Sequence, residues 1–177
     1  RQAKCALVRE FTSKPTSKRK PLPLTTIELQ KFCTSYFKIP SHRVAKISED
    51  LYNRGLISYP RTETDIYDAN FPFSEFLHIQ TTHPEWGFQA QRILEHGISL
   101  PRKGTRDDKA HPPIHPTMMT ADLGGEEKKI YEFIARRFLA SCSEDAKGFE
   151  KSVKFALGME IFIAKGLTVT ARNYLDL

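Results

Sequence analysis

The stretch Gly55-Leu56-Ile57-Ser58-Tyr59-Pro60-Arg61-Thr62-Glu63-Thr64 decides how the rest of the chain is read. Proline fixes its own φ at about −65° and drives the residue before it toward extended geometry. In an extended segment, side chains at i and i+2 point to the same side. Tyr59 and Arg61 are therefore expected to project together, a phenol beside a permanently charged guanidinium. That pair suits attack on a phosphodiester, with the tyrosine as nucleophile and the arginine neutralising the phosphoryl oxygens. A Tyr-x-Arg spacing alone is usually nothing more than a surface loop.

Outward from this stretch, the pattern is helical on both sides. Thr25 and Glu28 form a capping box, followed by Leu29, Phe32, Cys33, Tyr36 and Phe37 at helical spacing. After Lys38-Ile39-Pro40, Ser41 is expected to cap a second helix with the apolar stripe Val44, Ile47, Leu51 and Tyr52. Gly55 stands where a left-handed C-terminal residue is wanted, so Tyr59 lies just beyond a helix end. The two helices and their short turn fit a helix-turn-helix unit or a plain helical hairpin. Phe73 to Ile79 and Glu85 to Glu95 read as further short helices. Arg102 to Arg106 reads as a basic loop, and Gly124-Gly125 introduces a helix carrying Ile130, Phe133, Ile134, Phe138 and Ser141.

Both ends of the chain read as strands. Lys4 to Phe11 is rich in strand formers, and Thr12 to Ser17 reads as a turn-rich connector. From Lys151 the period changes to two, through Val153, Phe155 and Leu157, then Ile161 and Ile163, then Leu167, Val169 and Ala171, with Gly158 and Gly166 at the turns. The expected class is α+β: a β segment at 1–24, a helical domain at 25–145 and returning strands at 146–177. The helical domain is then an insertion into a β-rich one.

Composition bounds the alternatives. The 177 residues are 40% hydrophobic and 27% charged, as in an ordinary globular protein. No apolar run reaches the roughly 18 residues of a membrane span, so no membrane partner is expected. The net charge of +6 is uneven: residues 1–24 carry seven Lys/Arg against one acid, and residues 25–145 carry fifteen against seventeen. The basic cluster Lys14, Lys18, Arg19 and Lys20 reads as a solvated run or as phosphate contacts. Any nucleic acid near Tyr59 must be gripped by a few placed side chains. Cys5, Cys33 and Cys142 are odd in number and far apart, which argues against a disulfide framework and for small core residues. With Arg rather than Met at position 1, the chain is expected to be a piece of something longer.

Other candidate groups are fewer. His111 and His115 are separated by Pro112-Pro113, which rules out the helical i, i+4 pairing of common zinc sites, and no third ligand stands nearby. No metal site is expected. Asp107 and Asp108 read as solvated, Glu63 and Asp65 as residues that orient the arginine or its loop, and Lys109 as a phosphate contact. Most aromatics fall on helical stripes and read as core; Trp86 is left open between core and base stacking.

The Tyr59 segment resembles the active-site segment of type IA DNA topoisomerases, and Glu63 places it nearer the eukaryotic topoisomerase III branch. Ala110-His111-Pro112-Pro113-Ile114-His115-Pro116-Thr117 is similar to that branch as well. So are Cys142-Ser143-Glu144-Asp145-Ala146 and Ala171-Arg172-Asn173-Tyr174-Leu175-Asp176, the last two closer to the alpha kind than to beta. The resemblance implies a winged-helix or CAP-like catalytic-tyrosine module inserted into a β-rich arch domain. It implies cleavage and resealing of one DNA strand through a 5′-phosphotyrosine on Tyr59, for relaxation or decatenation of underwound DNA. Arg61 and His111 would serve as catalytic residues, with Lys103, Arg106 and Lys109 as DNA contacts. It further implies Mg2+ on a Toprim domain whose Asp-x-Asp pattern is absent here, with none bound by this stretch, which alone would be inactive. Single-stranded DNA, a RecQ-family helicase and an OB-fold accessory protein are the implied partners, and the nucleus the implied compartment. A non-catalytic winged-helix DNA-binding module is the alternative.

Overall fold

The computed structural model describes residues 5–177. In chain order the elements are β1 (Leu7–Lys18), α1 (Thr26–Phe32) running into a π-helical turn (Cys33–Phe37), α2 (Ser41–Asn53), α3 (Phe73–Gln80), α4 (Gly87–His96), α5 (Gly125–Ser141), β2 (Ala146–Leu157), β3 (Glu160–Ala171) and a closing 3-10 turn (Asn173–Asp176). The chain divides into two compact units, Arg1–Arg19 with Asp145–Leu175, and Lys20–Glu144 with Asp176–Leu177.

The first unit is an antiparallel sheet in the order β1-β2-β3. The sequence places a connector at Thr12 to Ser17, but those residues continue β1, pairing through Lys18 opposite Ala146. Pro15 is tolerated because β1 is an edge strand and Pro cannot donate to a ladder. Gly166 is likewise no turn: it sits inside β3 opposite Lys151. Only Gly158 turns the chain, at φ 67°, as the first residue of a two-residue hairpin loop. Cys5 is exposed rather than core.

The second unit is helical around one apolar core. Leu29, Cys33, Val44 and Leu51 from α1, its π turn and α2 meet Ile130, Ile134 and Phe138 of α5. Thr25 caps α1 through Oγ1, which accepts from the Glu28 N–H at 3.3 Å. Ser41 does not cap α2: it is the first helical residue, behind Pro40, and α2 has no side-chain cap. Tyr36 does not stay on the apolar stripe, because the wider π turn rotates it outward to 74% exposure. It caps a stack of rings, with Phe32 at 4.6 Å and Phe133 a further 3.8 Å behind.

Trp86 resolves to core. It is 1% exposed, stacks on His83 at 3.3 Å, and donates to Gln80 Oε1 at 3.0 Å. Cys33 and Cys142 are buried, and burial pushes their thiols up to about 11 and about 12, far from the thiolate form. Among the described residues no helix is long and apolar enough to cross a membrane.

Candidate active site

The C-terminus of α2 delivers Tyr59. Gly55 takes φ 73°, its N–H bonds the Tyr52 carbonyl at 2.8 Å, and Leu56 N–H bonds the Leu51 carbonyl at 3.0 Å. This double closure is a Schellman motif, with Leu51 and Leu56 both buried across it. The chain leaves the helix sharply and crosses the segment that follows His111. There Ser58 N–H bonds the His115 carbonyl at 2.9 Å, and His115 N–H bonds Ser58 Oγ at 3.0 Å.

The Tyr59–Thr64 stretch is then pinned from both sides. Thr26, at the start of α1, accepts from Thr62 N–H through Oγ1 at 2.8 Å and donates toward the Pro60 and Thr62 carbonyls. On the other side Thr62 Oγ1 donates to Asp108 Oδ2 at 3.2 Å, and Asp108 N–H bonds Thr64 Oγ1 at 3.0 Å. Asp108 Oδ1 also accepts from the backbone of Ala110 and His111, both at 2.9 Å. Those two backbone donors, ahead of the threonine hydroxyls, hold its carboxyl well below the usual carboxylate range. Asp108 is thus not a merely solvated acid. It fastens the His111 loop to the tyrosine stretch.

Tyr59 and Arg61 lie over one face of α2, as the i, i+2 argument expects. Tyr59 meets the Tyr52 ring edge-on at 5.3 Å, and Arg61 Nε donates to Glu49 Oε1 at 2.7 Å, with Nη2 on the same oxygen. Glu49 and Tyr52 are three residues apart on that helix, hence neighbours on its surface. The Glu49 hydrogen bond, then its charge, with Tyr59 adding to them, keeps the Arg61 proton held even more firmly than usual. His111 closes the group, its ring 4.6 Å from that of Tyr59. The Tyr59 hydroxyl makes no hydrogen bond among the described residues, so its oxygen is available to an incoming group.

The remaining sequence candidates are less centrally placed. Arg106 holds the loop rather than standing free: its N–H bonds Asp65 Oδ1 at 2.7 Å and its guanidinium reaches Glu63 at 3.4 Å. Glu63 also accepts from the Ile27 N–H at the start of α1, so it orients the loop and not Arg61. Lys109, at φ 56°, lines a cavity of about 440 Å3 together with His111, Tyr67 and Phe71. Lys103 is exposed. Glu49, Tyr52, Thr26, Thr62 and Asp108 were not singled out in the sequence as partners of Tyr59 and Arg61. The i, i+3 spacing of Glu49 and Tyr52 was the one available signal. Among the described residues no three of His, Cys, Asp or Glu cluster to hold a metal ion.

His115 is a core residue. It is 3% exposed, ringed by Phe71, Phe76, Tyr67 and Phe138, with Nδ1 2.8 Å from the Pro113 carbonyl oxygen. Burial lowers its pKa from 6.5 to about 4. Between those values only the unfolded chain binds the proton, so stability is full above the higher value and falls as pH drops toward the lower. Denaturant titrations should show that loss, on the order of 3 kcal/mol. A His115→Gln variant, which cannot take the proton, should show a shallower slope across the same window.

All residues of the chain, 1–177, match one protein family, described as DNA topoisomerase. The chain belongs to the DNA topoisomerase family. Within it the chain is type IA and topoisomerase III-like. It is 48% identical over 171 residues to human DNA topoisomerase 3-alpha, covering 97% of this chain and 17% of that protein. To DNA topoisomerase 3 of Saccharomyces cerevisiae it is 40% identical, covering 97% of this chain and 29% of the other. The chain thus spans less than a third of the length of these curated relatives. Among solved structures, full-length topoisomerase I from Thermotoga maritima superposes with a TM-score of 0.75 over 97% of this chain and 29% of that one. At 21% identity that likeness speaks for the α+β fold alone.

Proposed function

We propose that this chain carries the strand-cleaving tyrosine of a type IA DNA topoisomerase of the topoisomerase III kind. The observation that carries the proposal is the convergence of Tyr59, Arg61 and His111 on one half-buried corner, with the tyrosine oxygen unengaged. The Tyr59 oxygen attacks the phosphorus of a DNA phosphodiester, losing its proton. The P–O3′ bond breaks, and the departing 3′ oxygen takes up a proton to become a hydroxyl. The phosphotyrosine keeps the bond energy, so the reverse attack reseals the strand without ATP.

Arg61 supplies a fixed positive fork to the non-bridging oxygens. Glu49 holds that fork in place beforehand, so little ordering remains when the phosphate arrives. His111, packed on the Tyr59 ring, contacts the same phosphate. Lys109, Lys103 and Arg106 extend the contact to the backbone of single-stranded DNA. The helical unit acts as the winged-helix-like part, and the sheet as part of the arch domain. Among the described residues no three of His, Cys, Asp or Glu cluster to hold a metal ion; the resemblance assigns Mg2+ to a Toprim domain of the whole enzyme. The nucleus, a RecQ-family helicase and an OB-fold protein follow from the same resemblance. Relaxation or decatenation of underwound DNA would be the work of the whole enzyme.

Attachment to the 5′ phosphate predicts which half of a cut strand stays on the protein. With the intact enzyme and Mg2+, denaturant-trapped complexes should retain a label at the 3′ end of a single-stranded oligonucleotide and release a 5′ label. Retention of the 5′ label alone would overturn the polarity, and retention of neither would favour the non-catalytic module.

A further inference from the structure

Between α1 and α2, beside Arg61, lies a cleft of about 610 Å3. Its walls are apolar, from Leu29, Val44, Ala45 and Pro60, and its rim carries Arg61 with the carboxylates of Glu49, Glu63 and Asp108. Ser48 also lines it and is 2% exposed, yet its hydroxyl has no hydrogen-bond partner. Buried hydroxyls are almost always paired, and an unpaired one calls for an explanation. In α2 that hydroxyl bonds no carbonyl of its own helix, which leaves it open to a group that enters the cleft.

We infer that this cleft receives an unpaired nucleobase of the DNA strand whose phosphate rests on Arg61, with Ser48 bonding the base edge. The inference rests on the proposed topoisomerase reading and adds a base-holding subsite to it. The acidic rim excludes phosphate from the interior, so the charged backbone stays at the mouth on the guanidinium while the neutral base enters. The flat face of a base suits an apolar surface at Ala45 and Pro60, with Leu29 and Val44 packed directly behind it, and the volume is that of a small-ligand site. The rim carboxylates accept from an exocyclic amine, which favours a base such as adenine over one lacking it. Holding the base out of its stack would fix the phosphate against Tyr59 without any sequence-reading helix.

Two fluorescent octamers test this at one fixed salt concentration: oligo-deoxyadenosine, and an abasic strand with the same sugar–phosphate backbone. The full chain should bind the adenosine octamer about tenfold more tightly than the abasic one. Ala45→Phe, which fills the cleft, should erase most of that difference, and Ser48→Ala should reduce it about threefold. Neither should change binding of the abasic strand. In the wild-type protein, the methyl NMR signals of Leu29 and Val44 should shift on adding the adenosine octamer and stay in place with the abasic one, a readout that needs no variant. Unshifted methyls, or an adenosine affinity untouched by Ala45→Phe in a variant of unchanged melting temperature, would overturn the cleft. The phosphate reading has its own signature, since Arg61→Ala should weaken both octamers alike. If Arg61→Ala weakens neither, or neither octamer binds, that reading falls with it.

Discussion

Replacing Tyr59 with phenylalanine is expected to abolish the covalent DNA adduct of the intact enzyme while leaving the protein folded and able to bind single-stranded DNA. Phenylalanine keeps the ring against Tyr52 and His111 and removes only the oxygen. That oxygen makes no hydrogen bond among the described residues, so its loss should change stability by no more than about 0.5 kcal/mol. If Tyr59 is the nucleophile, as proposed, nothing replaces the missing oxygen, and adduct formation should fall by at least about four orders of magnitude. Denaturing gels with a labelled oligonucleotide measure the first quantity, and filter binding under the same salt measures the second. Equal loss of both would point to misfolding or to a binding role instead.

The second large effect is on stability. Trp86→Ala should destabilise the helical unit by about 4 kcal/mol, the usual cost of emptying a buried tryptophan site. More than packing is lost. Gln80 is fully buried and accepts the indole N–H, donating in turn toward the Tyr131 hydroxyl at 3.3 Å. Trp86→Phe would keep much of the volume but strand the Gln80 carbonyl, a loss of about 1–3 kcal/mol. Arg136, whose guanidinium lies 5.2 Å over the indole, loses its platform in the first variant and keeps an aromatic face in the second. Guanidinium titration of the full chain should therefore rank wild type above Trp86→Phe above Trp86→Ala. An alanine variant as stable as wild type would contradict the core assignment.

Local chemistry made much of this fold legible. The helix start at Thr25, the Gly55 exit and the two-residue periodicity after Lys151 each rest on forces acting within a few residues, and each appears in the structure. The misreadings have separate causes. Ile161, Ile163, Leu167, Val169 and Ala171 keep one parity across Gly166, which marks an unbroken strand; the glycine itself carries less information than the alternation around it. Thr12 to Ser17 looks like a loop because Pro15 and the hydroxyls are loop formers, but an edge strand has no neighbour on one side to object to them. Tyr36 left its stripe because nothing local announces a π turn.

The candidate site was legible in its proposed reacting groups and not in what holds them. Tyr59, Arg61 and His111 are marked by their own chemistry and by the strings around them. Glu49, Thr26 and Asp108 act across 12, 36 and 46 residues of sequence, where the spacing of Glu49 from Tyr52 is the one local signal. Only packing brings them together. Asp108 illustrates the difference: two adjacent acids in a charged loop look solvated until backbone N–H groups are seen converging on one of them.

The proposed bond between Tyr59 and DNA is open to direct chemical detection. The most direct measurement is mass spectrometry of the adduct formed by the intact enzyme with a single-stranded oligonucleotide, after nuclease and protease digestion. The peptide that includes Tyr59-Pro60-Arg61 should carry a nucleotide joined through its 5′ phosphate to the tyrosine oxygen. A nucleotide on any other residue, with the Tyr59 peptide unmodified, would rule out Tyr59 as the nucleophile.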